Sequence, residues 1–462
     1  MSSDDLLAAL PFLALAGGAA LVVLLAGWLK ADERSWMLLG AIVASGSLAA
    51  ASLLGGGADG LGGLLQRDGA SAFITVLVGG SALVTLLLEA GDRSYSARRG
   101  ARASALILLS ASGAVLMASA GDLVIVLAGL ALLLVPLELL AAPHGGAGGV
   151  AARAPALRRA AIALVLFAAG TTLVFADVGS TRVGALGSIA AAPGQAGVAL
   201  LLAALALAAA VVPFHLLAPE TQATAPAPVV GFVAIVAKLG AFAALLRTAG
   251  AITASGVAEP DWRASIAVLA ALTMVVGSLA ALGRSSLRQM IAFLCVAQVG
   301  TLATALASGV IAGPPIAFGL AVLVLGTLGA YAVVAQLGTN DLRVDDLRGL
   351  ARRRPLLAGA LGLLMLGLAG LPPTAGFLAK VYVFEAAIGA QLAWLVIVGA
   401  LTMVICAACS FRVLRACLGE GAPVGTTGGN VRVGVAIVAA LAVLFVGMVP
   451  APLLDAVQSV RF

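Results

Sequence analysis

This sequence has little charge. Only 10% of its 462 residues are Asp, Glu, Lys or Arg, against 62% hydrophobic residues, and the mean hydropathy is +1.16. An ordinary soluble domain carries about a quarter charged residues, so that class is excluded. Histidine and cysteine are also scarce, with 2 and 4 copies. Cys295, Cys406, Cys409 and Cys417 fall in or beside apolar runs, which gives no disulfide framework. Cys406 and Cys409 have CxxC spacing, but one turn apart in an apolar helix they read as small packing residues rather than a metal site. A dinucleotide fingerprint, a phosphate-binding loop and an HExxH pair are all missing. The expectation is therefore no metal and no bound cofactor in this chain, with any coupled redox chemistry housed elsewhere. The excess of basic residues needs no nucleic acid; membrane topology and anionic headgroups account for it. A positive leader is lacking too, since Asp4 and Asp5 precede the first apolar run. That run reads as a retained helix.

What the chain does have is apolar runs of membrane-spanning length. At about 20 residues per crossing, they predict an all-α polytopic membrane protein with about 14 transmembrane helices. The first six are expected at Leu6–Leu29, Trp36–Leu54, Ala70–Ala90, Ala103–Ala118, Leu123–Ala142 and Arg158–Val178. The next five follow at Ala196–Phe214, Val229–Ala249, Ser265–Leu282, Met290–Ser308 and Pro315–Leu337, then a broken Leu356–Ile388, Leu392–Leu418 and Val433–Val449. Basic residues then divide unevenly between the two faces. Lys30, Arg34, Arg432 and the clusters at 93–102, 153–159, 284–288, 343–354 and 412–415 lie on one face, and Arg67, Arg182, Arg247, Arg263 and Arg461 on the other. The positive-inside rule puts both termini on the non-cytoplasmic side of the membrane. Lys238 and Lys380 are left as the basic residues expected inside helices.

Two helices are interrupted. In LGLLMLGLAGLPPTAGFLAKVYVFEAA, Gly370, Pro372, Pro373 and Gly376 break an apolar run just before Lys380. Adjacent prolines cannot sit in an unbroken helix, and backbone freed at bilayer depth has to be buried in protein or line a wet cavity. A second break surrounds Pro213 in VVPFHLLAPETQATAPAPV. Paired interruptions in corresponding halves are the sequence trace of inverted repeats in ion transporters.

Ionisable groups beside these breaks are the candidate site. Lys380 marks an ion path, the competing reading being a lysine that snorkels to a helix end. Lys238 lies ten residues after Pro228, about 15 Å into a core of about 30 Å, too deep to snorkel easily. Glu138, two residues after Pro136, is either a carboxylate whose charge depends on a cationic neighbour or a helix-end glutamate. His215, at the first break, suits a proton relay or simply bonds unwound carbonyls. His144, in a glycine-rich loop, reads as exposed and inert.

These segments resemble a known family. VPFHLLAPETQATAPAPV is similar to the PFHxWxPDVYxGAPTPV segment of the antiporter-like subunits of respiratory complex I. LAGLPPTAGFLAKVYVF resembles SLAGIPPTAGFxGKFYLF, and DDLRGLARRRPLLA the DYxGLxRRxPxLA before it. The PPTAGF form and the length are most similar to the subunit N branch of bacterial NADH-quinone oxidoreductase. The resemblance spans about Asp122 to Arg415. It implies two inverted five-helix repeats, discontinuous helices 7 and 12, and proton movement along a central polar axis. Residues 1–121 would then form helices 1–4, 122–418 the antiporter-like core of helices 5–13, and 419–462 helix 14. Carried over by motif, Glu138, Lys238, His215 and Lys380 are the helix-5 glutamate, helix-8 lysine, PFH histidine and helix-12 lysine. Arg158 stands where a helix-6 lysine is usual.

The departures are specific. Ala208 occupies the position of the helix-7 lysine that partners the glutamate, leaving Arg158 to approach Glu138 instead. Arg288, Phe293 and Gln298 replace lysine, tyrosine and histidine. The implied function is a non-redox, proton-translocating subunit of an NADH:quinone oxidoreductase. NADH, FMN, iron-sulfur clusters and quinone would belong to partner subunits, and the chain would work as part of a hetero-oligomeric membrane arm. The alternatives are a subunit of a multisubunit cation/proton antiporter or membrane-bound hydrogenase, and a non-pumping structural spacer.

Overall fold

The computed structural model describes residues 3–29, 32–53, 58–90, 97–141, 149–189, 191–214, 225–254, 262–338, 342–421, 425 and 429–458. The chain begins with α1 (Ser3–Trp28), α2 (Glu33–Leu53), a hairpin of β1 (Ala58–Gly60) and β2 (Leu65–Arg67), α3 (Gly69–Glu89) and α4 (Ala97–Ser119). It continues with α5 (Leu123–Ala141), α6 (Gly149–Val178), α7 (Ala192–Ala209), α8 (Ala227–Ala254), α9 (Trp262–Leu282), α10 (Leu287–Ala307) and α11 (Gly313–Leu337). The last helices are α12 (Pro355–Ala369), α13 (Ala375–Gly389), α14 (Ala393–Leu418), α15 (Asn430–Met448) and the short α16 (Ala451–Gln458). Thirteen described helices are long and apolar enough to cross a membrane, so this is a multi-pass membrane protein. The half-helices α12 and α13, 15 residues each, approach that length only together.

Helix dominates because an apolar environment leaves backbone groups no partners outside the segment. Hydroxyls within the helices follow the same rule. Thr75 donates to the Ser71 carbonyl at 2.7 Å and Thr85 to Ser81 at 2.8 Å, each satisfied one turn back on its own helix.

The chain forms two compact units. The first comprises residues 1–209 and 236–262 among the described residues. In it α4 and α5 approach closely at Gly113 and Gly129, where a Cβ on Gly129 would come within 2.7 Å of Met117 Cγ. Small residues allow such crossings where no hydrophobic force drives helices together. At one end of this unit Asp68 caps α3, accepting from the Ser71 amide at 2.7 Å. Arg247 donates to both Asp68 oxygens at 2.9 and 2.8 Å, to Gln66 at 2.7 Å and to the Ala118 carbonyl at 2.6 Å.

The second unit comprises residues 210–235 and 263–458. Helices α10 and α11 are buried along almost their whole length, which explains why neither has a polar face. Arg432 of α15 reaches the Ala335 carbonyl of α11 at 2.9 Å.

Three expectations change. The seventh helix stops at Ala209, with Ala210 left-handed at φ 63, not at Phe214, because Pro213 has no amide to continue it. The sixth starts at Gly149, so Arg158 lies inside a helix and not at its beginning. Lys238 and Lys380 are not alone among helical basic residues, because Arg247, Arg288 and Arg432 are also buried in helices. Each of these three guanidinium groups donates to a backbone carbonyl.

Candidate functional site

A helix end leaves its last four carbonyls without intrahelical partners, and the end of α12 lies deep in the second unit. All four are accounted for. The Leu366 carbonyl accepts from the Gly370 and Leu371 amides at 3.0 Å each, and the Gly367 carbonyl shares the Gly370 amide at 3.1 Å. The Leu368 carbonyl accepts from Gln298 Nε2 of α10 at 2.8 Å. The Ala369 carbonyl accepts from Lys380 Nζ of α13 at 2.9 Å. Lys380 is thus seated on the negative end of the half-helix that precedes its own.

Gly370 makes this seat possible. Its φ of 81 turns the chain out of α12, and a Cβ there would lie 2.7 Å from Lys380 Cδ and Cε. Pro372 and Pro373 span the gap through a cis bond, and α13 starts at Ala375. Gly376, expected within the break, lies instead in the first turn of α13, where a side chain would run into the Gly367 carbonyl. It sets how closely the two half-helices meet.

Lys380 is 4% exposed. Together with Gln298 and Thr301 it lines a cavity of about 20 Å³, room for one water-sized molecule with polar partners. Cys406 of α14 lies within electrostatic reach of the ammonium. An amine held by one carbonyl beside a small polar cavity can bind, reorient and release a proton.

The sequence matches the family described as NADH:quinone oxidoreductase/Mrp antiporter, TM over residues 120–406. The chain belongs to this family. It is 34% identical to NADH-quinone oxidoreductase subunit N of Chloroflexus aggregans over 375 residues, covering 76% of this chain and 75% of the relative. It is 31% identical to subunit N of Beijerinckia indica, covering 97% and 96% of the two chains. Its fold matches a chain of respiratory complex I from Thermus thermophilus with bound aureothin at TM-score 0.84 and 30% identity, covering 96% of this chain and 98% of that one. A chain of the Mrp complex from Dietzia sp. shares the fold at TM-score 0.86 and 19% identity.

In this antiporter-family chain the remaining expected residues are placed as follows. Glu138 of α5 pairs with Arg159 of α6 at 3.1 Å, both side chains being less than one-fifth exposed. The expected neighbour, Arg158, is exposed. One residue, or about 100° of helix, turns it off the face that meets α5, so Arg159 and not Arg158 reaches Glu138. Lys238 is 3% exposed in α8. Two residues on, a Cβ at Gly240 would lie 2.9 Å from Leu133 and 3.3 Å from Ala114, which sets this stretch of α8 against α5 and α4 within the first unit. His215 lies outside the described residues, whereas Pro213 ends the stretch after α7, where the Val212 amide donates to Thr273 at 3.1 Å.

The three replaced positions each hold structure. Arg288 donates to the Ala225 carbonyl and its own carbonyl accepts from Tyr331 at 3.1 Å. Phe293 stacks under Arg284 at 4.8 Å, and Gln298 caps α12. Sequence reasoning missed Glu89, 2% exposed at the end of α3, although a carboxylate closing the apolar run LVTLLLE was a readable signal. It also missed Arg159, which nothing in the pattern distinguishes from Arg158. Among the described residues no group of three or more His, Cys, Asp or Glu could hold a metal ion.

Proposed function

We propose that this chain is the proton-translocating, antiporter-like subunit N of the membrane arm of an NADH-quinone oxidoreductase. The observation that carries the reading is Lys380, buried on the Ala369 carbonyl at a helix break beside a water-sized cavity. Burial without a permanent counter-charge makes an ammonium responsive to charge changes nearby. Glu138, Lys238 and His215 would be the other stations, with Arg159 holding Glu138. Redox groups and quinone would reside in partner subunits, coupled to this chain through the charge at one end of the polar axis. The similarity to named subunit N relatives supports partnership with the other membrane-arm subunits. Inverted repeats are supported by the two interruptions, since Ala210 and Gly370 are both left-handed and each stands three residues before a proline, Pro213 and Pro373. The uneven basic residues support termini on the non-cytoplasmic side.

The test is Lys380→Met and Lys238→Met in the assembled complex, with quinone reduction and proton release measured together. Protons moved per electron should fall in both, and an unchanged ratio in both rejects the assignment. One observation favours a second reading, a non-pumping spacer. Ala208 is buried in α7 and apolar, so that helix lacks a lysine at the family position. Full pumping in both lysine variants, with no change on Ala208→Lys, would select it.

A further inference from the structure

Helices α9 and α14 lie side by side and run in the same direction. Near their starts Leu395 packs with Ala267 and Met274. Near their ends Arg412 donates to the Leu282 carbonyl at 2.7 Å and to the Arg284 carbonyl. Each carries an exposed stripe at helical spacing. On α9 it is Val268, Leu272, Val275, Leu279 and Leu282, from 36% to 53% exposed. On α14 it is Ile397, Leu401, Val404, Phe411 and Leu418, from 58% to 69% exposed.

Both stripes run down to one pocket of about 640 Å³, whose charged lining is Arg284, Arg348, Arg412, Arg415, Asp345 and Glu420. The two acids are engaged, Asp345 by Arg348 at 3.3 Å and Glu420 by Arg352 at 2.8 Å. Arg412 is held by backbone carbonyls. Arg284 and Arg415 have no acidic partner among the described residues; both are exposed, and Arg284 is steadied by the Phe293 ring. Two guanidinium forks open to one space suit a phosphate, which arginine binds through paired charge-assisted hydrogen bonds. Basic pockets between transmembrane helices are where acidic headgroups dock.

We propose that this groove is a binding site for an anionic phospholipid, its phosphate on Arg284 and Arg415 and its acyl chains along the α9 and α14 stripes. The apolar stripes favour a lipid over a soluble anion, because they offer phosphate alone nothing. The DLRGLARRR segment thereby supplies Arg348 and, through Arg352, the restraint on Glu420. The proposal is independent of proton transfer.

The test uses the assembled complex in detergent and phosphatidylglycerol with a photoreactive group in its acyl chain. Labelling is expected on peptides covering 268–282 and 397–418, competed by unlabelled phosphatidylglycerol but not by phosphatidylcholine or inorganic phosphate at equal concentration. Arg284→Gln with Arg415→Gln should weaken labelling at least about tenfold, the loss of charged hydrogen bonds to one phosphate, while Arg353→Gln, outside the pocket, should not. Equal competition by phosphatidylcholine, displacement by inorganic phosphate, or cross-linking of these helices to a partner subunit in place of lipid would each overturn the proposal. Should the double variant fail to assemble, the competition series on the unaltered complex decides.

Discussion

Glu138 and Lys380 are buried ionisable groups in the two units, and they are built in opposite ways. Glu138 has a permanent counter-charge, Arg159, at 3.1 Å. Among the described residues Lys380 has dipoles and no acidic partner: the Ala369 carbonyl and the end of a half-helix, with a small cavity beside it. As a proton station Glu138 would have to exchange its proton beside a fixed positive charge, whereas an amine on a carbonyl exchanges its proton with dipoles around it. The difference teaches that Glu138 has a counter-charge in the first unit although Ala208 of α7 offers none: it comes from Arg159 of α6.

The sharpest way to break the comparison is at Lys380. Lys380→Met removes the proposed proton carrier and the donor to the Ala369 carbonyl. Transfer through this subunit should slow at least about a hundredfold, the usual contribution of a positioned proton-transfer group, read as loss of proton release at preserved quinone reduction. Next is Gly370→Ala, which keeps the lysine but disturbs its seat. A left-handed non-glycine residue costs about 1–3 kcal/mol, and the added Cβ would meet Lys380 Cδ and Cε at 2.7 Å. The expected result is a lower unfolding temperature of the purified complex together with reduced pumping.

Arg159→Gln tests the other side. It leaves the Glu138 carboxylate without its charge partner, at a cost of about 2 kcal/mol, and Glu138→Gln should restore most of that stability when the two are combined. Arg158→Gln is the control, expected within about 0.5 kcal/mol of the unaltered protein because the side chain is exposed. Equal effects of the two arginine substitutions would show that the pair seen here does not hold Glu138.

Much of this was readable before any coordinates. Apolar runs place nearly every helix because bilayer thickness fixes their length, and the prolines at 213, 372 and 373 place both interruptions. Lys380 and Lys238 stand out because a buried charge among apolar residues is rare. Facing could not be read so directly. Adjacent arginines at 158 and 159 have identical chemistry, and only the path of α6 against α5 decides which meets Glu138. Arg247 read as a charge at one face of the membrane, and its burial was not legible because its partners, Asp68 and Gln66, are far away in sequence. Gln298 looked like a loss, since it replaces a titratable residue, because hydrogen bonds to a carbonyl freed by a distant break leave no trace in a local pattern.

Gln298 supports the smallest expected effect, and the one that best separates structure from proton transfer at Lys380. Its Nε2 satisfies the Leu368 carbonyl at 2.8 Å, one residue before the carbonyl that holds Lys380. Gln298→Leu removes that donor and should cost about 1 kcal/mol, lowering the unfolding temperature slightly. Because Gln298 also lines the small cavity with Lys380 and Thr301, the leucine would make the cavity less polar and slow pumping by more than the stability loss explains. Gln298→His can keep a donor to Leu368 and adds a group that titrates near neutrality. If the cavity carries protons, the histidine variant regains the rate and acquires a pH dependence between about 5 and 8 that the leucine variant lacks. If Gln298 only caps α12, histidine restores stability and leaves the pH profile of pumping as it was.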